Sequence, residues 1–310
     1  MPAWQIWTAM VTVYVVWGST YLGIRIMVRH LPVLASGSAR FAVAGLILLV
    51  ISLVRGDLTR PPARRELASA AAVGLLLIAG GNGGVMLAEQ SMASGPTALL
   101  ISVTPFFIAI LGFAVYRDRL SWQVWAGLLV GLVGLAVLLG LTGSTPVAGR
   151  GAVIALGAAA CWAAGSTYGS RVRGPRSSSV NSAVQMLAGG LALGLAALVT
   201  REPVRVSGSD AWQGFAALGY LVLFGSLLGY TAYAWLLRNA PISLVSTYAY
   251  VNPVVAVTLG VALLGEPLTG RELFGGAVIL AAVAVIVSRT RASSRGSRPR
   301  LAAPVDRGPP

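Results

Sequence analysis

Arg40, Asn82, Gln185 and Asn252 are polar side chains set inside long apolar runs, and Glu89 stands at the end of another. A guanidinium at bilayer depth costs about 2.5–3.5 kcal/mol on insertion scales, so something must compensate Arg40. By depth, Glu89 is the expected carboxylate partner; backbone carbonyls, water or an anionic solute are the alternatives. Glu89 is also the one acid close to an apolar interior, so any ion or proton coupling falls to it. Thr104-Pro105 and Asn252-Pro253 lie near the middle of two further runs. A mid-helix proline lacks its own N–H and clashes with the carbonyl four residues back, so the carbonyls of Ile101 and Ala249 are expected to lose their usual partners. Such groups are tolerated where they are buried in protein or face a watery cavity. The reading is a pair of kinked or broken helices, with a packing kink as the bland alternative.

Aromatic and small residues complete the set. Trp17 and Trp162 lie well inside their runs, and Tyr230, Tyr233, Tyr248 and Tyr250 lie near or within theirs; they either line a cavity or pack. Ser243, Thr247 and Tyr250 recur at helical spacing and form a polar stripe. Asn82 stands in Gly80-Gly81-Asn82-Gly83-Gly84, where glycines allow close helix approach and Asn can bridge helices. That run lies inside an apolar helix and is not a phosphate-cradling loop. A lone His30 and a lone Cys161 form no metal cluster, and no cofactor is called for.

These residues need elements to hold them, and composition says which. Of the residues, 56% are hydrophobic and only 10% charged, and the mean hydropathy is +0.79. Soluble domains run near 25% charged, so a soluble enzyme, a disordered chain and a disulfide scaffold are set aside in favour of an all-α integral membrane protein. Ten runs approach the roughly 20 residues that cross a bilayer core. They fall at about 4–28, 33–54, 67–89, 95–116, 122–141, 150–170, 180–199, 211–237, 241–264 and 270–288. Continuous apolarity argues for helices over a barrel. The first run is too long for a signal h-region and is expected to be a retained span.

All 23 basic residues are Arg, and the net charge is +14. With both termini cytoplasmic, sixteen arginines fall on the cytoplasmic side and six on the other. This positive-inside bias makes the charge a topology signal and leaves no case for nucleic-acid binding. Trp4, Trp7, Trp122, Trp125, Trp212 and Trp235 sit near span ends, as a headgroup belt requires. The segment 289–310 is expected to be a disordered basic cytoplasmic tail, free or against anionic lipid.

The halves repeat each other. Gly18-Ser19-Thr20-Tyr21 recurs as Gly165-Ser166-Thr167-Tyr168, and Thr104-Pro105 is matched by Asn252-Pro253. The same spacing pairs Gly112 with Gly260, Asp118 with Glu266 and Gly127 with Gly275, and the repeat counterpart of Arg40 is the uncharged Gln185. Five spans per half is an odd number, so the second copy enters from the opposite face: ten transmembrane helices as two inverted five-helix repeats, 4–143 and 149–288. Gly127 and Gly131 form a small-residue pair, either for packing within the chain or for a homodimer.

The passages VWGSTYLGIR, SARFAVAGLIL, AEQSMASGPTALLISVTPF and VNPVVAVTLGVALLGEPLT resemble the drug/metabolite transporter superfamily, EamA type, over about residues 8–288. Asp118 stands where that family usually has Glu; Gly265-Glu266 keeps the pattern. The resemblance implies a secondary transporter of small organic metabolites, amino acids or drugs, exporting by alternating access across the cytoplasmic membrane. Its substrate pathway is expected along Trp17, Arg40, Asn82, Thr104, Pro105, Trp162, Gln185, Thr247, Tyr250, Asn252 and Pro253. Its partners are a small-molecule solute and membrane lipids. No Walker-type motif supports ATP hydrolysis, and scattered carboxylates argue against a membrane enzyme on a lipid or prenyl substrate. A non-transporting scaffold is the other alternative. Reporter fusions at Arg64, Arg119 and Arg295 should read cytoplasmic and fusions near Arg150 and Arg205 external; an external Arg64 overturns the topology.

Overall fold

The computed structural model describes residues 2–58, 61–118, 121–138, 149–204, 206, 210–245 and 247–296, the side chains of 138, 243, 250 and 286–296 excepted. Every element among them is helical. Seven helices are long and apolar enough to cross a membrane: α1 (Ala3–His30), α2 (Val33–Val54), α3 (Arg64–Ala88), α4 (Ser94–Tyr116), α6 (Gly149–Gly169), α7 (Ser178–Val199) and α8 (Ala211–Asn239). Between and after them come α5 (Trp122–Leu138), the short α9 (Ile242–Val245), α10 (Tyr248–Leu264) and α11 (Gly270–Gly296). The last helix runs on to Gly296, into the segment read from sequence as a tail, with Arg289, Arg291 and Arg295 near its C-terminal end, where a helix dipole favours cations.

Two interruptions shape the bundle. α4 is broken by a turn at Ser102 and Val103, and Pro105 sits in the first turn of its second segment rather than in mid-helix. The Thr104 hydroxyl donates to the Ile101 carbonyl at 2.6 Å, taking the place of the N–H that Pro105 lacks. The Ser102 hydroxyl does the same for Leu99. Before α10, the Thr247 hydroxyl donates to the Leu244 carbonyl at 2.7 Å, and the run read as 241–264 divides into α9 and α10. Pro253 remains inside α10.

α3 and α8 share a second irregularity that the sequence did not announce. Each opens into π-helical turns, over Leu75–Asn82 and Leu221–Tyr230. One extra residue per turn shifts the side chains that follow around the axis and loosens carbonyls from the usual ladder, and such turns are frequent at functional sites.

Small residues set the packing. α2 lies along α7 and α5 along α11; α1 packs on α8 and α10, while α6 packs on α3 and α4. A Cβ at Gly190 would stand 3.0 Å from the backbone nitrogen of Ala42, so α7 and α2 touch backbone to side chain only because that residue is Gly. Gly131 is covered by Phe106 of the same chain, which is the packing use of the small-residue pair in α5. Cys161 is half-buried against Gly80. Trp4, Trp7, Trp122, Trp125 and Trp212 are exposed, as are many Val and Leu side chains, an apolar belt suited to lipid.

The helix ends are tied by polar contacts. The Glu202 carboxylate accepts from the Leu34 and Ala35 nitrogens at 2.9 Å each, at the N-terminus of α2. Ser177 donates to Asp57 at 3.0 Å, Arg171 pairs with Asp118 at 2.7 Å, and Arg238 reaches the carbonyls of Gly174, Pro175 and Arg176. Glu266 accepts from the Ser94 nitrogen and from its hydroxyl at 2.6 Å, capping α4.

A Cβ placed on Gly74 would fall on the Gln185 carbonyl, with no flexible side chain to give way. Gly74→Ala should therefore lower stability by about 1–3 kcal/mol, as overpacking does. Gly157, exposed and with open space around it, should accept Ala without loss. Thermal unfolding of the two purified variants checks the contrast.

Candidate functional site

One face of α1 carries Trp17, Thr20, Tyr21 and Ile24, residues that helical spacing brings into line. They form one wall of a cavity within the bundle, of about 50 Å³. Arg40 of α2, Asn82 and Val85 of α3, Ile101 at the α4 break, Trp162 of α6, and Tyr248 and Asn252 of α10 complete it. The structure thus brings Trp17, Arg40, Asn82, Trp162 and Asn252 together, as the sequence led one to expect.

Arg40 does not pair with Glu89. Its Nε donates to Ser226 Oγ at 2.9 Å, and it is 2% exposed. The widened turns of α8 present Ser226 to it, and the absence of a side chain at Gly225 clears its path: a Cβ there would lie 2.8 Å from Nη2. Nη1 is buried with no hydrogen-bond partner. Arg25, near the C-terminal end of α1, reaches Glu89 instead. Arg25 donates to the backbone carbonyl of Glu89, and its Nε lies 3.8 Å from Glu266. Glu89 is fully buried, and its carboxylate oxygens have no hydrogen-bond partner. It is not on the cavity wall.

The aromatic residues form a tight cluster at the cavity wall. Trp17 and Trp162 meet edge to face at 5.3 Å, Trp17 and Tyr233 at 4.7 Å, and Tyr248 closes on Trp17 at 5.6 Å. Each indole N–H is satisfied: Trp17 donates to the Gly225 carbonyl at 3.1 Å and Trp162 to the Tyr233 hydroxyl at 3.1 Å. Ser166 shares a hydrogen bond of 2.6 Å with the same hydroxyl. Asn82 donates to the Leu77 carbonyl at 3.3 Å, within the widened part of α3. Asn252 is 4% exposed and its Oδ1 has no partner.

The remaining candidates lie elsewhere. Thr104 and Pro105 are buried at the α4 break, where their task is backbone satisfaction. Thr247 joins α1 through a hydrogen bond with Tyr14. Pro253 is buried in α10, off the cavity wall. Gln185 accepts from the Tyr230 hydroxyl at 2.8 Å and lines a separate crevice with Asn181 and Arg238. The side chains of Tyr250 and Ser243 lie outside the described residues.

Thr20, Tyr21, Ile24, Gly225 and Ser226 were missed as site residues. Helical spacing from Trp17 would have found Thr20, Tyr21 and Ile24; nothing local marks Gly225 or Ser226. Among the described residues no group of His, Cys, Asp or Glu could hold a metal.

Apolar helices of spanning length closed around a small cavity with a few polar side chains define an integral, multi-pass protein of the inner or plasma membrane. The model of the EamA-like transporter family matches residues 4–140 and again 149–288, and the chain belongs to that family, within the drug/metabolite transporter superfamily. It is 39% identical over 281 residues to the uncharacterized inner membrane transporter YedA of Escherichia coli K12, covering 90% of this chain and 89% of that one. It is 27% identical over 300 residues to a probable amino-acid metabolite efflux pump of Salmonella typhimurium, covering 92% and 96%. A solved crystal structure superposes with a TM-score of 0.65 at 20% identity, covering 92% of this chain and 98% of the other, a likeness of fold.

Tyr233→Phe removes the acceptor of Trp162 and the partner of Ser166 in a fully buried place. A buried donor left unsatisfied costs about 1–3 kcal/mol, and the variant's unfolding midpoint should fall accordingly.

Proposed function

We propose that this chain is a secondary transporter that exports small organic solutes across the cytoplasmic membrane by alternating access. Ten spans, arranged as two inverted five-helix repeats at 4–143 and 149–288 with both termini cytoplasmic, carry out the cycle. The observation that carries this reading is the cavity itself. Residues from both family-matched segments wall it, and polar groups that lipid would exclude converge there. Trp17, Arg40, Asn82, Trp162 and Asn252 are the solute-facing side chains, with Thr104, Pro105, Thr247 and Pro253 shaping the broken helices beside them.

The packing supports two like halves. Exchanging each span for its partner five spans away leaves the main contacts in place: α2 with α7, α5 with α11, α1 on α8 and α10 answered by α6 on α3 and α4. The π-helical turns of α3 and α8 fall at corresponding positions. Every interhelical polar tie at the helix ends joins segments assigned to the same side: Glu202 with α2, Ser177 with Asp57, Arg171 with Asp118, Glu266 with Ser94.

A volume of about 50 Å³ holds a few waters, far below the roughly 300–1,000 Å³ of ligand pockets. The cavity is therefore in a contracted form, and a solute is admitted as the halves rock apart. In this reading the Trp162–Tyr233–Ser166 set is the inner gate, and loosening it opens a route toward the crevice around Asn181, Gln185 and Arg238. The name of the Salmonella relative supports amino acids and related metabolites as solutes to try first.

Proteoliposomes loaded with unlabelled amino acids or amphipathic drugs should take up the labelled counterpart in counterflow. Asn252→Ala should cut that flux by about tenfold, the loss of one buried hydrogen bond to solute, while Gly157→Ala leaves it unchanged. A folded protein that moves nothing across such a panel overturns the reading.

A further inference from the structure

Arg40 is the one cationic side chain among the described residues of the cavity wall, and that wall holds no Asp or Glu. Its Nε is used by Ser226, whereas Nη1 is buried and unpartnered. Neither buried acid pairs with it: Glu266 caps α4 at Ser94, and Glu89, whose backbone carbonyl accepts from Arg25, is off the wall. Ser226 and the Phe41 ring, whose centroid lies 4.6 Å from Cζ, offset part of the desolvation cost of this guanidinium, and an anion entering the cavity relieves the rest. Across the same wall stands a complementary vacancy for a donor, the buried and unpartnered Oδ1 of Asn252. The same wall is lined by the aromatic rings of Trp17, Trp162 and Tyr248, with Trp17 set edge to face against the other two.

Resting on the transport reading above, we infer that the cavity selects organic monocarboxylates with an aromatic or other apolar body, the carboxylate seated on the Nη1 side of Arg40. Guanidinium presents parallel N–H donors that match a carboxylate, and Nε is already tied to Ser226, so the Nη1 edge is the one left for the solute. One fixed positive charge neutralises one negative charge. A neutral solute leaves Arg40 unpaired, a cation adds repulsion, and a dianion brings a charge with no partner on the wall. A hydroxyl, amine or ring N–H on the body gains the Asn252 oxygen. The rings supply stacking area, and edge-to-face pairs already hold them in place.

The test uses the full-length purified protein and three probes of one shape: 3-phenylpropionate, its neutral amide 3-phenylpropionamide, and 3-phenylpropylamine as the cation. Ligand binding to the folded state raises the unfolding temperature. The carboxylate alone should raise it in a concentration-dependent way, and Arg40→Gln should weaken that response by about tenfold or more while Arg40→Lys retains part of it. If Arg40→Gln does not fold, Gly225→Ala serves instead, since its Cβ crowds Nη2 and should weaken the carboxylate response. An amide or amine that stabilises the wild type as well as the carboxylate does overturns the inference, as does an unaltered carboxylate response in the Arg40 variant. Counterflow of the same three probes separates the two readings. Flux without charge preference leaves transport standing and removes the monocarboxylate site. Arg40-dependent carboxylate binding without flux of any solute keeps the site and removes transport.

Discussion

A positive charge inside lipid must be solvated by protein, and the geometry around Arg40 follows from that requirement. Its Nε needs an acceptor at the right depth, which Ser226 provides from a helix whose turns have opened to present it. The guanidinium needs clearance, which Gly225 provides. The carbonyl of Gly225, in the same widened stretch, then accepts from Trp17 and fixes the indole against Trp162 and Tyr233. One charge thus links α1, α2 and α8 and orders the aromatic wall of the cavity.

The backbone obeys the same accounting. Hydrocarbon offers no water to unpaired peptide groups, so a helix can break within the membrane only if something local replaces the lost bond. Hydroxyls do this at both interruptions. Ser102 and Thr104 return to carbonyls of α4, and Thr247 returns to Leu244 before α10. The breaks then cost little and leave Ile101, Tyr248 and Asn252 free to bound a cavity in place of continuing a regular ladder.

Much of this was legible in the residues. Apolar length placed the helices, because a bilayer imposes a minimum span on any sequence. Polar or large aromatic residues at depth pointed to Trp17, Arg40, Asn82, Trp162 and Asn252, because lipid makes such residues costly unless they face one another. What sequence did not carry was rotation about helix axes. The pairing of Arg40 with Ser226 in place of Glu89 turns on the π-helical stretch of α8, which re-aims side chains and has no compositional signature beyond its glycines. The same limit applies to Thr104: its position beside Pro105 suggested a role toward solute, yet its hydroxyl is spent on its own backbone. Gln185, matched to Arg40 in the repeated sequence, lines a separate crevice.

The pairing of α2 with α7 is fastened twice. Glu202 grips the N-terminus of α2 with both oxygens at one end, and Ser177 holds Asp57 at the other. Backbone contact at Gly190 fills the length between. Two rods pinned at each end and seamed along the middle resist splaying, so in the proposed cycle α2 and α7 would serve as an axle and not a door, and a solute would find no side entrance from the bilayer between them.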